Sequence, residues 1–206
     1  MLQRMKHKHS TRPLGRPRAF DADAALDRAL RVFWQRGYEG AALSDLTKAM
    51  RINRPSLYSA FGNKEFLFRK VLDRYAGGPA SYVNAALEQP TARAVARRLL
   101  LDAVNMLTNP RHPRGCLMVQ GALSCGKQAD PVREELIARR GAGEAAIRKR
   151  LARAKSERDL PRHSKPADLA RYLVTVSHGM AVQAASGASR AQLQRVARAA
   201  LRAWPK

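Results

Sequence analysis

Residues 42–65, ALSDLTKAMRINRPSLYSAFGNKE, divide into two short helical segments joined by a tight turn. Ser44 is placed to cap a helix over Asp45 to Met50, and Asn53 a second over Arg54 to Phe61. Each side-chain oxygen can accept a hydrogen bond from a first-turn N–H that has no partner inside its helix. Pro55 is tolerated in the second helix's first turn, where its missing N–H costs no helical bond. Ile52 before the cap and Leu57 near the fourth helical position suit a hydrophobic staple, which fixes how the chain enters that helix. Two short helices separated by a tight turn meet the requirements of a helix-turn-helix.

The flanking sequence is helical as well. Upstream, Asp21 caps a helix, Asp23 sits where the helix dipole favours negative charge, and Ala22, Leu26, Ala29, Leu30 and Phe33 recur at helical steps. Gly37 is expected to end it. Downstream, Asn63 opens a helix with Phe66, Leu67, Val71 and Tyr75 on its apolar side, interrupted at Gly77-Gly78-Pro79 and expected to resume over 80–88. Thr91 starts another helix, which Asn109-Pro110 stops. The stretch 116–125, CLMVQGALSC, suggests a short apolar helix with Cys116 and Cys125 on opposite sides, out of bridging reach. Asp130-Pro131 opens a long basic helix with Val132, Leu136, Gly143, Ile147, Leu151 and Ala154 on one face. Ala167 to Ser186 is strongly apolar, and Ser189 with Gln192 makes a capping box for a last helix. No stretch alternates as a strand does, and none repeats.

Composition narrows the function classes. The 206 residues carry a formal net charge of +23, which favours a polyanionic partner, nucleic acid before acidic membrane. Of the 39 basic residues 29 are Arg, a skew that genome composition alone can produce, so charge by itself is weak evidence. Residues 1–20 carry +6, residues 21–75 carry +3 and residues 76–206 carry +14, so most of the surplus lies outside the helix-turn-helix and suggests an Arg-rich solvated surface. Residues 1–18 read as a basic flexible arm. No apolar run approaches the roughly 18 residues of a membrane span, and the basic N-terminus lacks the apolar core of a secretory signal. Two Cys fit a reducing cytoplasm, and the scattered His and Cys have no metal-site spacing, so neither metal nor cofactor is expected. Neither a nucleophile elbow nor a Gly-rich phosphate loop is visible, which argues against an enzyme.

The quoted stretch resembles the DNA-binding domain of the TetR family of bacterial repressors. The resemblance rests on Leu46 and Ala49, on Ile52 in the turn, on Leu57, Tyr58 and Phe61, and on the Asn63-Lys64-Glu65 that opens the next helix. It extends over roughly residues 16–75. One position departs: the family commonly has Gly in the turn where this chain has Arg51, so a positive φ there would strain the backbone by about 1 kcal/mol. The resemblance implies an all-α chain. An N-terminal three-helix helix-turn-helix DNA-binding domain (residues 19–75) would precede a C-terminal helical effector-binding and dimerisation domain (residues 76–206). It also implies a homodimer, a palindromic double-stranded DNA operator, and release of that operator by a small-molecule effector.

Candidate DNA contacts follow from position. Arg54, Ser56 and Ser59 face outward from the second short helix toward base edges. Tyr58 resembles the family tyrosine that meets a phosphate, although a packing role is an equal alternative. Lys64 and Ser44, at helix starts, are placed for phosphates, as is the added charge of Arg51. Arg12, Arg16 and Arg18 of the arm can follow the backbone or enter the minor groove. Candidate effector-pocket residues are Tyr82, Asn105, Met106, Met118, Gln120 and His178, polar or soft groups within apolar helices, each of which can equally be ordinary core. Cys116, at an expected helix N-terminus after Arg111, His112 and Arg114, has the setting of a reactive thiol, so redox or electrophile sensing is an alternative to an inert buried thiol. Gly179, Ala184, Leu193, Val196, Leu201 and Trp204 are candidates for a dimer interface, or for packing within one subunit. A non-specific basic nucleic-acid binder is the alternative of another class.

Overall fold

The computed structural model describes residues 20–205, and the arm residues Arg12, Arg16 and Arg18 lie outside them. Among the described residues ten α-helices follow one another: α1 Ala22–Gly40, α2 Leu43–Met50, α3 Arg54–Phe61, α4 Lys64–Gly77, α5 Tyr82–Leu87, α6 Ala92–Leu107, α7 Leu117–Gln120, α8 Asp130–Ser156, α9 Pro166–Ala185 and α10 Arg190–Arg202. A single 3₁₀ turn, Lys127–Ala129, leads into α8.

The helix starts are set by local chemistry. Asp21 accepts from the amides of Asp23 and Ala24, Asn53 from Ser56, Asn63 from Phe66, and Thr91 from Ala94. Ser189 and Gln192 form both halves of the capping box. Each such cap stabilises its helix by about 1 kcal/mol. The end of α5 is held differently. The buried Arg150 reaches from α8 and donates to the carbonyls of Leu87, Gln89 and Pro90 at 3.1, 2.6 and 2.9 Å. It supplies both hydrogen bonds and positive charge where the helix dipole is negative.

Three expected boundaries differ. The helix α2 begins at Leu43, with Ala42 at the cap position and no side-chain cap, so Ser44 lies inside the first turn. Asp130 is the first residue of α8, not its cap, because the 3₁₀ turn already delivers the chain in helical geometry. The interruption at Gly77 is real, but helix resumes only at Tyr82.

The head, α1 to α4, is built around α1. Phe33 and Phe68 meet edge to face with ring centroids 4.9 Å apart, and Leu46, Leu57, Leu67 and Leu72 are fully buried around them. Each buried side chain of this size contributes about 1.5–3 kcal/mol. Helical geometry breaks at Gly37 (φ 70°, ψ −178°) and one further turn follows it. A Cβ at Gly37 would sit 3.3 Å from the Gly121 carbonyl oxygen, so glycine serves both the left-handed φ and the close approach. Leu193, Ala197 and Ala200 form the buried face of α10, which packs on α6 and α9, and Trp204 just beyond it is buried as well.

The turn between α2 and α3 places Arg51 at φ 59°, ψ 42°, the left-handed region that favours glycine. Replacing Arg51 with Gly should therefore stabilise the chain by about 1 kcal/mol relative to Arg51→Ala. Thermal melts are expected to show that as a rise of ~2–4 °C. Equal melting temperatures would mean that the turn carries no strain.

Candidate nucleic-acid interface and internal cavity

Short helix α3 separates its faces cleanly. Leu57 and Phe61 are buried, whereas Arg54, Ser59 and Tyr58 (48% exposed) face solvent and Ser56 is half-buried. Arg51 is exposed in the turn just before them. Arg36 and Asp45 form an ion pair between α1 and α2, and Arg28 donates to the Met50 carbonyl at 3.4 Å, so the helices are tied to α1 at both ends of α2. Ser44 is exposed in the first turn of α2, whose amides no side chain caps.

Lys64, at the start of α4, is half-buried, with its Nζ 4.5 Å from the centre of the Tyr38 ring. Burial pushes its pKa down, while Glu39 pulls it up. Phe66, expected on the apolar side of α4, is instead 57% exposed and stands in the same helical turn as Lys64. Its spacing matches the buried face only loosely, since Leu67 and Phe68 already fill that side.

A cavity of about 340 Å³ lies among α4, α5, α6, α8 and α9, with α7 closing one end. This is the size of a small-molecule site. Its walls are largely apolar, with Val83, Leu99, Ala103, Leu107, Ile147 and Leu173 among them. Of the expected pocket residues, Tyr82, Met106, Met118 and His178 line it. Asn105 does not: it is exposed and receives a hydrogen bond from Arg190. Gln120 does not either, because its side-chain oxygen turns back to accept from the Cys116 amide at 3.0 Å. Tyr75, Arg139, Arg140 and Glu144, which carried no pocket signal in the sequence, line the cavity too. A tyrosine on an apolar helix face and an arginine on a basic helix look the same whether they meet core, solvent or a void.

Cys116 also faces the cavity, in a setting different from the one expected of it. Helix α7 has only four residues, so the long 116–125 helix and its dipole are absent, and with them the argument that placed Cys116 and Cys125 on opposite sides. The residue that follows α7, Gly121, accepts from the Tyr38 amide of α1. Burial pushes the Cys116 thiol up, outweighing the lowering by the Tyr75 hydroxyl, which donates to Sγ at 3.2 Å. Burial likewise raises the phenols of Tyr75 and Tyr82 and lowers His178, whose neutral form is further favoured by nearby Arg140 and opposed by Glu144.

Besides the α4–α8 ion pairs Arg139–Asp73 and Arg69–Glu135, a hydrogen-bonded seam joins head and cavity. Trp34 Nε1 donates to the Gly115 carbonyl at 3.1 Å, the Tyr38 amide to the Gly121 carbonyl at 2.7 Å, and the Gly126 amide to Glu39 Oε1 at 3.0 Å. These bonds tie the C-terminal half of α1 to residues 115–126, the segment that carries Cys116 and Met118 into the cavity wall. Trp34 also packs edge to face on Tyr75, with centroids 4.8 Å apart.

The sequence matches two signatures: that of bacterial regulatory proteins of the tetR family over residues 25–71, and that of tetracyclin repressor-like C-terminal domains over residues 94–200. The chain belongs to the TetR family. It is therefore a helix-turn-helix transcriptional regulator, from a family of regulators rather than enzymes. This TetR chain is 34% identical to the HTH-type transcriptional repressor ComR of Escherichia coli K12 over 93% of its own length and 92% of that protein's. It is 30% identical to the repressor BdcR of the same strain, over 92% and 91%. Among solved structures it resembles the TetR regulator CifR, crystallised as a cysteine mutant with 26-bp double-strand operator DNA. That likeness has a TM-score of 0.89 and 45% identity, and covers 92% of this chain and 100% of that one.

The expected dimer residues need correction. Ala184, Leu193 and Trp204 are at most 2% exposed within this single chain, so they already pack in its own core and offer no surface to a partner. Leu201 is half-buried, and Gly179 and Val196 are exposed. No helix among the described residues is long and apolar enough to cross a membrane, and no group of three or more His, Cys, Asp and Glu among them could hold a metal ion.

The raised thiol has a direct consequence. In a Cys125→Ser background, alkylation of Cys116 by iodoacetamide should be slower than that of glutathione at pH 7.5, because less thiolate is present. Its rate should keep rising through and beyond the ordinary thiol range of about 8.5. A midpoint near pH 7 would contradict the enclosed thiol.

Proposed function

We propose that this chain is a cytoplasmic homodimeric repressor that binds a palindromic DNA operator through α3 and releases it when a small molecule fills the cavity. The observation that carries this reading is the seam, a hydrogen-bonded link between the wall of a ligand-sized cavity and the scaffold of a helix-turn-helix. The likeness to CifR, crystallised on operator DNA, supports the operator. Exposed Val182 on α9 and Val196 on α10 leave apolar surface for self-association, a role in which the buried residues of those helices have no part.

In this reading the roles divide by chemistry. Arg54, Ser56 and Ser59 read base edges, because the major groove distinguishes all four base pairs by donors and acceptors. Tyr58, Lys64, Arg51 and the first turn of α2 at Ser44 contact phosphates and set register without reading sequence. Arg16 and Arg18 add arm contacts from outside the described residues. An effector entering the cavity displaces residues 115–121, and the seam turns that displacement into a tilt of α1, which changes the spacing of the two heads. The cavity residues Tyr82, Met106, Met118 and His178 are its contacts.

Selecting binding sites from a random duplex pool at about 150 mM salt tests this. The chain should prefer its selected site to random DNA by at least ~10³. Arg54→Ala should cost about 1–3 kcal/mol on the selected site and relax preference at one base position. Lys64→Ala should weaken selected and random DNA alike and lower the salt slope by about one. No enrichment from the pool, with a steep salt slope, would instead identify a charge-driven, non-specific binder.

A further inference from the structure

The cavity that serves as the effector site in the proposal above has on its wall a cation, Arg140, without a carboxylate partner among the described residues. Arg139 on its wall is neutralised by Asp73 and Glu135, each at 2.7 Å. Glu144 is taken by Arg171 at 2.8 Å. Arg140 makes one bond, from Nη1 to the Met118 carbonyl at 2.7 Å, and among the described residues no carboxylate lies within ion-pair distance of it. Arg140 lines the largely apolar cavity together with Ser177 and His178.

We propose that the effector is a small apolar carboxylate, whose anionic group pairs with Arg140 beside His178 and Ser177 while its hydrocarbon body lies against Val83, Leu99, Ala103 and Leu107. The chemistry favours an anion over a neutral ligand of the same shape. A guanidinium matches a carboxylate with two parallel hydrogen bonds, and a charge-assisted bond is about twice as strong as a neutral one. An anion there also shifts the one bond that Arg140 makes, to Met118 in α7, and α7 leads directly to the Gly121 carbonyl that holds Tyr38. Recognition of charge and displacement of the seam thus use the same side chain. A neutral His178, lowered by burial and by Arg140, can donate one hydrogen bond to the carboxylate without adding a second cation.

The inference rests on the cavity being the effector site, and the test separates the two. Phenylacetate, phenylacetamide and 2-phenylethanol share a shape and differ in charge. Titrated calorimetrically into the full chain, phenylacetate should bind at least about tenfold tighter than the other two. In Arg140→Gln that preference should fall to about twofold or less, and Arg140→Lys should retain part of it, which a merely structural role for Arg140 would not reproduce. The proposal is overturned if the amide or alcohol binds as tightly as the acid, if the acid's advantage survives in Arg140→Gln, or if none of the three binds at 10 mM (roughly the weak limit of a specific site). Release of the selected duplex is read in parallel. Should the neutral compounds bind and release DNA, the effector site stands and its charge preference falls. Should phenylacetate bind through Arg140 yet leave DNA affinity unchanged, the charge preference stands and the effector reading falls.

Discussion

The Tyr38 amide donates to the Gly121 carbonyl at 2.7 Å, and the seating of α1 on the cavity wall rests on that contact together with its two neighbours in the seam. It requires Gly37, because only a residue without Cβ can turn at φ 70° that close to the acceptor oxygen. Its acceptor lies directly after the four-residue α7. It also places the Tyr38 ring on Phe68 and beneath Lys64, so the start of α4 is fixed from the same point. With the bonds from Trp34 to the Gly115 carbonyl and from the Gly126 amide to Glu39 it makes three hydrogen bonds between α1 and one short segment.

The magnitudes are suitable for a switch. A hydrogen bond of this kind contributes about 0.5–1.5 kcal/mol net, so the three bonds of the seam together contribute about 1.5–4.5 kcal/mol, which overlaps the range of typical allosteric couplings, about 1–3 kcal/mol. The head's own core is far more costly to disturb, with Phe33, Leu46, Leu57 and Phe68 fully buried. A ligand able to supply only a few kcal/mol of differential binding can therefore move the head as a body but cannot melt it. Tyr75 offers a parallel route, since it touches Trp34 on one side and the cavity and Cys116 on the other.

What the sequence revealed follows the range of the forces involved. Caps at Asp21, Asn53, Asn63, Thr91 and Ser189 were legible because a cap is decided within about three residues. The strained Arg51 was legible from one departure from a family pattern. Of the helix expected over 116–125 only Leu117–Gln120 forms, and the Tyr38 contact that follows it comes from far away in sequence, beyond the reach of a local pattern. Ala184, Leu193 and Trp204 follow a buried periodicity, but periodicity does not say whose core buries a residue, and here it is the chain's own. Arg140 carried no signal at all, since its meaning lies in which neighbours are already paired.

A cycle of two substitutions tests most directly whether the cavity acts on the helix-turn-helix through the seam. Ala103→Leu fills part of the cavity without a ligand, and Trp34→Phe removes the indole donor to Gly115 while keeping an aromatic ring. Affinity for the selected duplex would be measured for both single variants and the double, with melts to establish that each is folded. The account predicts that Ala103→Leu weakens binding about fivefold or more in the parent and less than about twofold in the Trp34→Phe background. Equal losses in both backgrounds would contradict it and place the coupling on α4, through Tyr75.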